Sequence, residues 1–148
     1  MNAMTKQRPT ALVVITNLPS VSEAGYRTFT ALELGTNNVW SNVSKWETLP
    51  SGVVLNGGTN TAVRPASGLA TLPNNTNTFR YKSANLAHSA YGYILFNPNG
   101  SLDTSTNAKL EFIIGTSVGG NITRTGPEGN WYRLIVNNAT GRVKSARP

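Results

Sequence analysis

The sequence predicts an all-β domain, a two-sheet sandwich or open barrel of about eight or nine strands. Three observations carry that expectation. Several segments alternate their side chains with the period of two that belongs to extended backbone. Fourteen glycines and eight prolines punctuate the chain throughout, and Asn and Thr are common, which favours turns and strands over helices. No heptad pattern, internal repeat or amphipathic helix of useful length interrupts this picture.

Residues 10–16, after a polar start, form a continuous β-branched and apolar run that ends at Asn17-Leu18-Pro19. So short a run reads as a strand buried on both faces rather than as a helix. Residues 20–25 read as a loop or hairpin connection. Residues 26–34 then alternate Tyr26, Thr28, Thr30, Leu32 and Leu34 against Arg27, Phe29, Ala31 and Glu33, the pattern of a half-buried strand. Gly35-Thr36-Asn37-Asn38 is a turn, and Val39-Trp40 begins a short strand that leads through Lys45-Trp46 to a turn at Leu49-Pro50-Ser51-Gly52. Val53-Val54-Leu55 resumes the sheet, and Asn56-Gly57-Gly58 signals a tight turn.

Residues 59–77 hold Arg64-Pro65, Leu72-Pro73 and a polar Asn-Asn-Thr-Asn tract with little periodicity, and are expected to be a variable loop. Residues 79–90 are ambiguous, with a single helical turn expected over 83–88. The clearest strands are 91–96, 109–116 and 130–137. Between the last two, residues 117–128 are rich in Gly and polar side chains and read as a long connection. After Val136, Asn137 to Gly141 carries turn chemistry, and Arg142-Val143-Lys144 reads as a short returning strand.

At 148 residues the chain fits one domain, taken as residues 4–148. Met1-Asn2-Ala3, ahead of a second methionine at position 4, reads as a remnant of expression. Charged residues make up 13%, about half the ~25% usual for globular domains. The formal net charge is nevertheless +7, from thirteen Lys and Arg against six acids. Cysteine is absent, so thiol catalysis, disulfides and Cys-ligated metals are excluded together. The longest apolar run, residues 11–15, falls far short of the ~18–20 residues that span a bilayer. The chain is therefore expected to be soluble.

Catalytic chemistry finds little support. A Ser/His nucleophile would have to use His88, the single histidine, and no Gly-x-Ser-x-Gly elbow accompanies it. Paired-carboxylate hydrolysis would need two of Glu23, Glu33, Glu47, Asp103, Glu111 and Glu128 to converge. Ser101-Leu102-Asp103-Thr104-Ser105-Thr106-Asn107 offers a cation one carboxylate and some neutral oxygens, and reads as a solvated loop. Gly119-Gly120 is not followed by the Gly-Lys-Ser/Thr of a phosphate loop. No catalytic residue, cofactor or metal ligand is expected, and the chain is read as a non-enzyme.

Three short segments carry a resemblance. They are Phe96-Asn97-Pro98-Asn99-Gly100-Ser101 at the end of an apolar strand, Tyr132-Arg133-Leu134-Ile135-Val136 followed by Thr140-Gly141-Arg142-Val143, and Trp46-Glu47-Thr48-Leu49-Pro50-Ser51-Gly52-Val53. Together they resemble the GspH/FimT family, the minor pseudopilins of type II secretion and minor pilins of type IV pili, over roughly residues 8–148. The resemblance implies a structural subunit that acts by assembly with other pilin or pseudopilin subunits. It also implies an apolar N-terminal helix, absent from this sequence, that anchors the full-length protein in the bacterial inner membrane with its head in the periplasm or outside the cell. Loops 59–77 and 117–128 are then the expected contact surfaces.

The basic C-terminal end supports a second reading. Arg133, Arg142, Lys144 and Arg147 lie in a stretch without acids and are the candidate nucleic-acid-binding residues. Gly141-Arg142-Val143-Lys144 is similar to the Gly-Arg-x-Arg element associated with DNA capture in some FimT-type minor pilins. Lys at its last position keeps the charge and loses the bidentate fork. A third reading, a carbohydrate-binding β-sandwich, rests on Trp40, Trp46 and Trp131 as faces for sugar rings.

Overall fold

The β-branched run near the N-terminus becomes the central strand of one sheet, and both of its faces are covered. In the computed structural model, which describes residues 8–36, 39–56, 72, 80–82, 84–86, 90–103 and 107–147, Thr10–Ile15 forms β1. The strands that follow are Thr28–Leu34 (β2), Trp40–Asn42 (β3), Glu47–Thr48 (β4), Val53–Leu55 (β5), Arg80–Tyr81 (β6), Ala84–Asn85 (β7) and Tyr91–Phe96 (β8). Ala108–Val118 (β9), Asn121–Arg124 (β10), Trp131–Val136 (β11) and Val143–Ala146 (β12) complete the chain.

Two five-stranded antiparallel sheets result, so the fold is the all-β sandwich that the alternation predicts. In the first, β1 lies between β2 and β8, while β3 and β4 take successive lengths of the far edge of β2. In the second, β9 pairs with β11, β10 and β5, and β12 closes the order beyond β11. β6 and β7 pair only with each other among the described residues.

Alternation along β1 divides the core. Ala11, Val13 and Ile15 pack with Leu32, Leu34, Trp40 and Tyr91, and this cluster also takes in Leu18, Leu72, Tyr81 and Leu86. Leu12 and Val14 turn the other way, toward Ile94, Phe96, Leu55, Leu110 and Val136, which join the two sheets. Val13 and Ile15 have no exposed surface, and full burial of each contributes about 1.5–3 kcal/mol.

Tyr26 stitches the sheets together through its backbone. It adopts φ 59, a left-handed conformation that costs a non-glycine residue about 1–2 kcal/mol. In return its N–H donates to the Ile15 carbonyl at 2.6 Å while its own carbonyl accepts from Leu55 N–H at 2.8 Å.

Four expectations need correction. The segment 117–128 is not one long connection: β9 continues to Val118, turns at Gly119-Gly120 with φ 59 and 83, and returns as β10. Two successive positive φ values make a tight hairpin, and the Thr, Ser and Asn side chains around it hid the alternation. The helical turn expected over 83–88 is instead a strand at Ala84–Asn85, hairpinned to β6 through Lys82 at φ 53; residues 83 and 87–89 lie outside the described residues. Residues 20–25 are in large part a 3-10 segment, Pro19–Ala24, broken at Val21 where φ −140 and ψ 73 leave the helical region. Among the described residues there are twelve strands against the expected eight or nine, because short strands such as β4, β6 and β7 exist through pairing and leave no local pattern.

Candidate functional site

Two of the segments that carried the family resemblance lie where the chain passes from one sheet to the other, and the third spans the β11–β12 hairpin within the second sheet. Leu49-Pro50-Ser51-Gly52 leads from β4 in the first sheet to β5 in the second. Val53 N–H donates to the Pro50 carbonyl at 3.1 Å, Gly52 supplies φ 87, and Arg27 Nη2 holds the Leu49 carbonyl at 2.8 Å. Asn97-Pro98-Asn99-Gly100-Ser101 leaves β8 on the way to β9. Asn97 N–H donates to the Ser101 carbonyl at 2.7 Å, Gly100 N–H donates to the Asn97 carbonyl at 2.8 Å, and Asn99 Oδ1 accepts Ser101 N–H at 3.0 Å.

The third segment, the β11–β12 turn, is organised by Asn137. Its Oδ1 accepts the N–H groups of Ala139 and Thr140 at 2.9 and 3.1 Å, and its carbonyl accepts Gly141 N–H at 2.8 Å. The two turns then meet: Leu102 N–H donates to the Asn138 carbonyl at 2.8 Å, and Asn138 N–H donates to Asn107 Oδ1 at 2.9 Å. Gly141 has φ 73, and a Cβ there would overlap the Gly100 carbonyl oxygen. Only glycine satisfies both conditions.

Beside these turns, one face of the second sheet carries a polar row. Register sets Glu111 opposite Arg133, and Arg133 Nε donates to Glu111 Oε2 at 2.6 Å. Asn56 Nδ2 donates to Glu111 Oε1 at 2.7 Å. The Arg133 guanidinium lies 3.9 Å over the Trp131 ring. Burial acts to raise the Glu111 pKa, but the hydrogen bonds from Asn56 and Arg133 and the charges of Arg133 and Arg124 outweigh it and hold the carboxyl below its ordinary range.

This geometry separates the four candidate cations. Arg133 is committed to Glu111 and Trp131, whereas Arg142, Lys144 and Arg147 are exposed. Lys144 stands opposite Ile135, itself opposite Lys109, so the two lysines share a row and a face about 10 Å apart, two strand spacings. Arg142 precedes β12 and lies outside its paired residues. Lys109 and the Glu111–Arg133 pair were not singled out from sequence. The only signal was a Lys-x-Glu alternation in a strand whose partner and register the sequence does not specify.

The remaining candidates are dispersed. His88 and, apart from Leu72, all of loop 59–77 lie outside the described residues. Glu33 pairs with Arg8 at 3.1 Å. Glu23, Glu47, Asp103 and Glu128 are exposed. Among the described residues no three or more His, Asp or Glu gather as a metal cluster, and no helix is long and apolar enough to cross a membrane. Trp40 is 2% exposed and offers no face to a sugar ring. Trp46 is half-buried, with Nε1 donating to the Arg80 carbonyl at 2.8 Å and its ring edge-on to Tyr81. Trp131 is capped by Arg133.

No protein-family model matches the chain, and no curated protein matches it. Among solved structures it is similar to the minor pseudopilin EpsH from the type II secretion system of Vibrio cholerae. That likeness has a TM-score of 0.46 and 14% sequence identity, and covers 99% of this chain and 85% of the other. A likeness at that level fixes neither family nor function.

Proposed function

We propose that the chain is the β-sandwich head of a minor pseudopilin or minor pilin of the GspH/FimT type, a non-enzymatic subunit that works by assembling with other pilin-like subunits. The observation that carries this reading is the meeting of the resemblance segments. Phe96–Ser101 and Thr140–Val143, read separately along the chain, meet where a Cβ on Gly141 would overlap the Gly100 carbonyl oxygen, and beside that contact Leu102 N–H donates to the Asn138 carbonyl. They are parts of one closure of the sandwich, and a resemblance spread over interlocking segments is harder to reach by chance than one confined to a single turn. On this reading the full-length protein carries an apolar helix that tethers it to the bacterial inner membrane, with the head in the periplasm.

The test is genetic and biochemical together. Deleting the gene in its source bacterium should impair type II secretion or pilus display, with rescue by the intact reading frame. Photo-crosslinkers placed on the head should trap pilin-like subunits. Normal secretion, normal piliation and no trapped pilin-like partner would together reject the proposal.

A further inference from the structure

We propose that β12 is an open docking edge that accepts an extended acidic segment of another protein as an added strand of the second sheet. The inference rests on the sheet edge alone and stands or falls apart from the assembly reading. Among the described residues β12 pairs with β11 and with no other strand.

Register fixes which of its main-chain groups are spare. Opposed residues of an antiparallel ladder alternate between pairs that exchange hydrogen bonds and pairs that do not. Asn137 N–H donates to the Arg142 carbonyl at 2.8 Å, which sets the phase: the pairs 135–144 and 133–146 also exchange, and 136–143 and 134–145 do not. Val143 and Ser145 therefore direct both N–H and C=O away from β11, toward the open side. These are the groups that an incoming strand binds.

Side chains set the class of that strand. Val143 and Ser145 lie on the face of Val136 and Leu134, and Val143 is 60% exposed, an apolar contact without cover among the described residues. Lys144 points to the other face, in line with Lys109, and Arg142 and Arg147 bracket the strand. Glu111, the acid on the neighbouring row of that face, is taken by Arg133. An incoming strand thus meets an apolar surface on one face and uncompensated positive charge on the other, which fits alternating β-branched and acidic residues. A second copy of β12 is the wrong occupant, since it would set these three cations against their own kind in a chain of net charge +7.

The test titrates the whole chain with a synthetic peptide alternating Val or Thr with Glu, followed by amide NMR. Binding should shift the Val143 and Ser145 amides and slow their hydrogen exchange. The same peptide with Lys for Glu, or N-methylated at alternate amides, should not bind. Lys144→Glu should weaken the acidic peptide about tenfold, the swing from an attractive to a repulsive cross-strand pair. Ser145→Pro removes an N–H that the sheet does not use and should abolish binding while leaving β11 intact. If that variant folds poorly, the N-methylated peptide asks the same question of the native chain. Absence of binding, equal binding of the two charge forms, undiminished binding of the N-methylated peptide, self-association through β12, or a preference for duplex DNA that Ser145→Pro leaves untouched would each overturn the proposal.

Discussion

Replacing Arg133 by Met isolates the Glu111 network. The change keeps an unbranched side chain beside Trp131 but removes the charge that stands 2.6 Å from Glu111 Oε2, leaving a carboxylate that is 4% exposed and still accepts a hydrogen bond from Asn56 Nδ2. Breaking a fully buried ion pair from one side costs about 3–5 kcal/mol. The Arg133 side chain keeps 30% of its exposure, so water reaches the site and the expected cost falls to about 2–3 kcal/mol. The pH dependence follows from the sign of each shift. In the native protein the folded Glu111 pKa lies below the ordinary 4.5, so its stabilisation is fully present above that value and is lost as pH falls through the folded one. In the variant, burial dominates and the folded pKa rises, so the carboxyl opposes folding as pH climbs. The stability gap between the two proteins is therefore widest near neutrality and narrows below about pH 4. Urea denaturation followed by tryptophan fluorescence measures it at both ends, and Glu111→Gln combined with Arg133→Met should recover most of the neutral-pH loss. A neutral-pH cost under about 0.5 kcal/mol, or a gap that does not shrink in acid, would refute the reasoning.

Two further outcomes rest on single positions. Gly141→Ala forces a side chain into φ 73 against the Gly100 carbonyl and should destabilise by about 2 kcal/mol or more, read as a lower urea midpoint with an unchanged slope. Tyr26 and Tyr91 have pKa values raised by burial, so their contribution is complete below the ordinary 10.0 and is lost as pH rises beyond it. Spectrophotometric titration should show phenols that ionise late, together with the onset of alkaline unfolding, and Tyr91→Phe should move that onset upward.

The fold was legible where side chains alternate with a period of two or form an apolar run too short for a helix. β1, β2, β8 and β11 each present such a run, and each lies within a residue or two of where the pattern sets it. β10 was not legible, because Asn121, Thr123 and Arg124 around one isoleucine give no contrast between faces. β6 and β7 were not either, since strands this short are held by partners rather than by propensity. The same limit applies to the site. Arg133 reads as a free cation in a basic stretch, yet it lies opposite Glu111, 22 residues away. A one-residue slip of β11 on β9 would turn the two side chains to opposite faces, so no local pattern could decide the pairing.

What the resemblance segments do physically sets what they can say about function. Gly52 and Gly141 hold left-handed turns, Asn97 satisfies a turn carbonyl, and the whole set guides the chain between sheets or locks one sheet end to the other. Such residues are constrained by backbone geometry, whatever the domain binds. They therefore speak to the architecture, and two proteins could share them while recognising different partners. Discrimination has to come from positions that the closure leaves free. β12 supplies such positions: its turn is fixed by Asn137 and Gly141, but the exposure of Val143, Lys144 and Ser145 is not needed to hold the sandwich together. Changing Lys144 should thus alter what the domain binds and leave its stability almost unmoved, whereas changing Gly141 should do the reverse.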